Sequence, residues 1–199
     1  MKTLKPFLVS LTLLIIPFCR TFAQKPAFNY VLTVKGDTIK CEFKRPLLGK
    51  IRYVPVGSDK AVKITTEGIK EYYTAKDTTL VVAAVLPGDT DPEFINLLER
   101  GRINMYEKVV ITYSRYGSNT SYYWYVNKDN DPLKELKATT IFTDGSRKER
   151  KKMFSEILAD NIPLQGQFEA DNDFSLKRLQ YYIHEYNQSK TGEVKVTGK

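Results

Sequence analysis

Histidine is almost missing from this 199-residue chain: His184 is the only one. Two-histidine zinc sites and the HExxH helix are thereby excluded, and a Cys/His cluster has too few members to close around a metal. A hydrolase triad would have to run through His184, which sits between Ile183 and Glu185 in a helical pattern, where a surface histidine needs no catalytic explanation. Cysteine is scarce too, with only Cys19 and Cys41. No GxGxxG, P-loop or GxSxG motif occurs, so neither a nucleotide-binding loop nor a nucleophile elbow is written in the chain. The sequence calls for no cofactor and no metal, and an enzymatic role has no motif behind it. Long apolar runs are also lacking. The most apolar stretch, Phe7–Phe18, is twelve residues long, against the roughly 20 that a membrane-spanning helix needs.

That short stretch has another use. Lys2 and Lys5 precede it, and Thr21-Phe22-Ala23 follows with small residues two apart. Basic start, apolar middle and small-x-small end form a secretory signal, so 1–23 is expected to be removed on export. Pro17 would disturb any helix continuing as an anchor. Bulky Phe18 immediately before Cys19 argues against a lipoprotein signal. The expected location is therefore the periplasm or the cell surface. Losing Lys2, Lys5 and Arg20 takes the 31 basic residues to 28 against 23 acidic ones, a net charge of +5. A surplus that small suits weak attraction to anionic lipid or glycan and falls short of a nucleic-acid footprint. The remaining Cys41 has no internal disulfide partner, so one domain, 24–187, must be held by its core.

The first half of that domain reads as strands. Tyr30–Val34 and Thr38–Phe43 flank Lys35-Gly36-Asp37, a hairpin signal. Ile39, Cys41 and Phe43 alternate with polar neighbours and should face the core, making Cys41 a buried small hydrophobe. Further strands are expected over Ile51–Val56, Ala61–Ile64 and Thr79–Leu86. Asp91 then caps, Pro92 opens and Gly101 closes a short predicted helix with Phe94, Ile95, Leu97 and Leu98 as its stripe. Ile103–Glu107, Val109–Tyr116 and Ser121–Asn127 read as a meander turning at Gly117-Ser118-Asn119, and Ala138–Phe142 as a last strand. Ser146 and Glu149 form a capping box opening a helix with Met153, Phe154, Ile157 and Leu158 on one face. After a predicted loop through Pro163 and Gly166, Leu176, Leu179, Ile183 and Tyr186 mark a second helix. The polar tail, 188–199, is expected to be disordered. The fold class predicted is α+β: mainly antiparallel sheet or open barrel, a short central helix, and two C-terminal helices.

Two clusters are candidates for a binding surface. In the basic run Arg147-Lys148-Glu149-Arg150-Lys151-Lys152, Arg147, Lys148 and Lys151 lie where a helix N-terminus disfavours cations. The run reads first as the solvated opening turns of an amphipathic helix, and the conflict with the dipole is a small point toward an anionic partner. In Tyr122-Tyr123-Trp124-Tyr125, alternate residues of a strand face opposite sides. One set packs inward, and the other, with Tyr113 or Tyr116, would offer a platform for sugar rings or a protein. Tyr123, Trp124 and Tyr125 are the aromatic candidates. Carboxylate pairs, which glycoside hydrolysis would need, are not singled out by spacing.

Val34-Lys35-Gly36-Asp37-Thr38-Ile39 within Tyr30–Phe43, and the stretch from Phe174-Ser175-Leu176 to Tyr186-Asn187, resemble the opening and close of a group of exported Gram-negative bacterial proteins. The resemblance implies a periplasmic or surface location and carries no activity. The expectation is a non-enzymatic binding or envelope-associated module whose partner is an envelope glycan, an anionic lipid or another envelope protein. A carboxylate-dependent hydrolase of envelope polysaccharide is the alternative.

Overall fold

The computed structural model describes residues 26–45, 51–139 and 146–193. The expected signal, 1–23, lies outside them. Ten strands form one antiparallel sheet: β1 Tyr30–Thr33, β2 Thr38–Lys44, β3 Arg52–Pro55, β4 Val62–Lys63, β5 Ile69–Thr74, β6 Thr79–Ala84, β7 Glu93–Glu99, β8 Ile103–Ser114, β9 Gly117–Lys128 and β10 Lys134–Ala138. Helices α1 Arg147–Ile157, α2 Ile162–Ala170 and α3 Leu176–Glu193 follow. The strand order is β10-β9-β8-β7-β6-β5-β1-β2-β3-β4. Two meanders thus share β1: β2 to β4 extend from one side of it, and β5 to β10 from the other. The fold is α+β, as the sequence predicts, and of its two alternatives the sheet is open rather than a barrel.

Strand register assigns side chains to faces, because directly opposed residues point the same way. Val31, Tyr72, Val81, Asn96, Glu107 and Trp124 are opposed in succession across β1, β5, β6, β7, β8 and β9. On this side, here the covered face, Val31, Cys41, Tyr53, Ile64, Ile69, Tyr72 and Val81 form one core cluster. Farther along it Ile103, Met105, Trp124, Val126 and Leu136 meet Phe154, Leu158, Phe168, Leu179, Ile183 and Tyr186 of the helices in a second. The opposite, open face carries a smaller cluster of Leu86, Ile95, Tyr106 and Tyr125.

Several expectations are corrected. The predicted central helix is strand β7, whose Leu97 and Ile95 lie opposite Leu80 and Val82 of β6. Its crowded apolar residues satisfy either period, and neighbours on both sides supply the backbone partners that decide it. Leu98, two residues beyond Asn96 on the same face, packs against the helical core, and a register shift between Leu97 and Glu99 brings Glu99 opposite Met105. Strand β5 escapes the sequence reading because both its faces are covered and Glu71 interrupts its apolar residues. The predicted loop through Pro163 and Gly166 is helix α2, capped by the Asn161 side chain, with proline in its first turn where no N–H is required. Strand β8 runs unbroken to Ser114, so the turn falls at Arg115-Tyr116. Strand β10 precedes the segment predicted, whose 140–142 lie outside the described residues. The capping box of Ser146 and Glu149 is formed. Helix α3 continues through Glu193, past the expected start of the tail.

Candidate functional site

On the open face, β5 to β8 border a cavity of about 430 Å³, lined among others by Lys70, Glu71, Val82, Leu97, Arg100, Asn104, Tyr106 and Asn130. Glu71 points there because the adjacent Tyr72 packs in the core of the covered face, while a register shift against β1 lets Ile69 join that same core. Its side chain is 7% exposed, whereas that of Arg100 is 54% exposed. Arg100 Nη2 donates to Glu71 Oε2 at 2.5 Å, and the Tyr30 hydroxyl donates to Oε1 at 3.1 Å. Burial, reinforced by the charge and hydrogen bond of Glu71, pushes the Tyr30 phenol up to about 12, so it stays a donor. The buried carboxylate is matched from both sides, and the guanidinium that matches it reaches solvent.

The far wall is held by amides. Asn127 Oδ1 accepts from Asn104 Nδ2 at 3.1 Å and from the Tyr106 hydroxyl at 3.2 Å, while Asn127 Nδ2 donates to the Asp131 carbonyl. Asn104 Oδ1 in turn accepts from the Gly101 N–H. Asn130, with φ of 67°, occupies the left-handed region that asparagine tolerates better than most residues. The polar wall is therefore oriented before any ligand arrives. Two cations, Lys70 and Arg100, stand against one carboxylate, which leaves the cavity an excess positive charge. Such an arrangement suits acceptor oxygens of a sugar, carboxylate or phosphate. Among the described residues no group of three or more His, Cys, Asp and Glu could hold a metal ion.

The six residues singled out in sequence do not come together there. Trp124 is buried under the helices, its indole donating to Glu107 Oε2 at 2.9 Å. Tyr125 is buried in the open-face cluster, with half-buried Tyr123 packed against it. Burial and then the charge of Glu135 push the Tyr125 phenol up to about 12. Covers on both faces of β9 remove Trp124 and Tyr125 from the expected exposed platform. Of the aromatics around this hairpin, Tyr113 and Tyr116 are exposed and Tyr122 is partly so.

Arg147 donates to the Asn172 carbonyl. Lys151 Nζ donates to the Glu169 and Asp171 carbonyls and lies 5.6 Å over the Phe168 ring. Both serve the C-terminal end of α2, where exposed carbonyls and the helix dipole favour cations. The clash between the basic run and its own helix start is thus answered by a neighbouring helix. Lys148 is exposed and, among the described residues, has no such bond. His184 faces Glu99 at 3.0 Å in an exposed pair and does not line the cavity. Cys41 is 4% exposed, and burial pushes its thiol up to about 11.

A comparison of the chain with protein-family models, curated proteins and solved structures finds no match.

Proposed function

We propose that this chain is an exported, non-enzymatic binding module of the cell envelope, and that the open-face cavity takes an acidic or hydroxyl-rich glycan. The observation that carries this is the buried Glu71 held between Tyr30 and Arg100, with the guanidinium and Lys70 at the mouth. A carboxylate already matched by a guanidinium is poorly disposed to act as acid or nucleophile, and hydrolysis would need a second carboxyl within roughly 10 Å of the first. Among the described residues, Glu71 is the only acidic one in the cavity lining. The hydrolase alternative accordingly has less support than binding. Export rests on the basic, apolar and small-residue segments of 1–23.

Lys70→Glu reverses one charge at the mouth and leaves the Glu71–Arg100 pair intact. Calorimetric titration with acidic envelope glycan fragments should show binding to the parent chain and a loss of about tenfold or more in the variant. Equal affinity in the two, or no binding to the parent, would remove the cavity as the recognition site. Mass spectrometry of the native protein should place its first residue at Gln24.

A further inference from the structure

We propose that the covered face of the sheet holds a second binding site, an apolar cleft that takes a neutral aromatic ligand carrying a hydrogen-bond acceptor. The cleft encloses about 430 Å³ and is lined among others by Ile51, Ile64, Thr66, Tyr72, Pro92 and Phe94. That volume falls within the roughly 300–1,000 Å³ of small-molecule sites. Tyr72 opposes Val81, and Phe94 lies two residues before Asn96 on the same side of β7, so both rings point to the covered face. The Glu71 cavity is on the other side of the sheet.

Its walls are built by the fold. The Tyr72 and Phe94 rings meet edge to face, with centroids 5.4 Å apart and planes inclined at 67°, and Phe43 backs Tyr72 at 5.6 Å. Facing them, the Ile51 carbonyl accepts from the Ile64 N–H at 3.1 Å. The chain then turns at Thr65, whose carbonyl accepts from the N–H groups of Gly68 at 3.2 Å and Ile69 at 2.9 Å. These backbone bonds preform that wall, as small-molecule sites usually require.

The ligand's chemistry follows from what the cleft offers. Tyr72 is 9% exposed, and among the described residues its hydroxyl has no hydrogen-bond partner. Burial holds the phenol above its usual range, so it remains a donor in need of an acceptor. Among the described residues that line the cleft there is no lysine or arginine. Arg45, whose charge reaches the Tyr72 phenol, is ion-paired with Asp77 at 3.9 Å, and Glu93 turns its carboxylate to Lys108. An anion would therefore enter unmatched and meet the exposed Glu67. A neutral ring covers Tyr72, Phe94 and the two isoleucines from water, and its acceptor satisfies the phenol.

Prodan, a neutral naphthalene ketone whose emission shifts to the blue in apolar surroundings, is the probe. Titrated with the full chain it should bind saturably with that shift. Thr66→Trp fills the cleft and should weaken binding about tenfold or more. Tyr72→Phe keeps the ring and removes the donor, so it should weaken binding about fivefold, the loss of one hydrogen bond. Because that hydroxyl is unpaired in the free protein, Tyr72→Phe should unfold at the parent's temperature or above. Anilinonaphthalene sulfonate, of similar size and anionic, should bind about tenfold more weakly than prodan. Absence of saturable prodan binding overturns the proposal. So does an affinity unchanged by Thr66→Trp or by Tyr72→Phe, or a sulfonate that binds as tightly as the ketone.

Discussion

A methyl group added at Gly101 would lie 2.2 Å from Asn187 Cγ, 2.3 Å from its Nδ2 and 2.5 Å from its Oδ1. Asn187 is what docks α3 onto the sheet. Its Oδ1 accepts from the Ile103 N–H at 2.9 Å, and its Nδ2 donates to the Ile103 carbonyl at 2.8 Å. Ile103 is fully buried, so displacing the amide leaves two backbone groups in search of partners. Two hydrogen bonds at about 1 kcal/mol each, with a further desolvation penalty for whatever stays unpaired, put Gly101→Ala at roughly 2–4 kcal/mol destabilising. For a domain of this size that lowers Tm by about 5–15 °C.

The backbone at Gly101 is outside the left-handed region, so alanine meets no conformational objection there. The cost therefore comes from the Asn187 side chain, which supplies the three nearest atoms. In an Asn187→Ala background the sign should reverse. With the clash gone, Gly101→Ala should stabilise by about 0.4–1 kcal/mol, through the entropy of the unfolded chain. Thermal unfolding of both single variants and the double variant measures this coupling. A Gly101→Ala protein as stable as the parent would refute the reasoning, as would equal effects in the two backgrounds.

Asp160 accepts from Lys128 at 2.6 Å, Arg102 at 2.7 Å and the Tyr186 hydroxyl at 2.8 Å. Partial burial opposes ionisation, but these bonds and charges outweigh it and hold the carboxyl down to about 2. A depressed folded value contributes stability that is fully present above about pH 4 and is lost as pH falls toward 2. Over a third of the side chain is in water, so screening leaves about 1 kcal/mol. Asp160→Asn should lower stability at neutral pH by that amount and flatten the decline between pH 4 and 2 in acid denaturation. Cys41 should resist iodoacetamide at pH 8 in the native protein and react promptly in denaturant, because burial raises its thiol to about 11. Rapid native labelling would contradict its place in the core.

What could be read along the chain was whatever depends on neighbours a few residues away. The hairpin at Gly36, with φ of 94°, follows from the residues at the turn. The inward alternation of Ile39, Cys41 and Phe43 has a period of two, and the capping box of Ser146 and Glu149 closes within one helical turn. The helical stripe from Leu176 to Tyr186 is equally local. Each is decided by backbone geometry and hydrophobic period, which sequence displays directly.

The rest was settled by partners distant in the chain. Phe94, Ile95, Leu97 and Leu98 suit helix and strand alike, and β6 and β8 alongside them chose strand. Gly101, which reads locally as a helix stop, is needed because Asn187 crosses it from α3. Lys151 serves a helix end contributed by 169–171, and Trp124 disappears beneath helices that begin more than twenty residues later. The cavity joins Glu71, Val82, Arg100 with Asn104, and Asn130 from four separate segments, and Tyr30 of a fifth bonds to Glu71. By itself the sequence determined the local elements, the antiparallel α+β class and the burial of Cys41. Tertiary structure alone decided which charges are matched and which aromatics are covered, because burial and pairing are properties of long-range packing rather than of residue type.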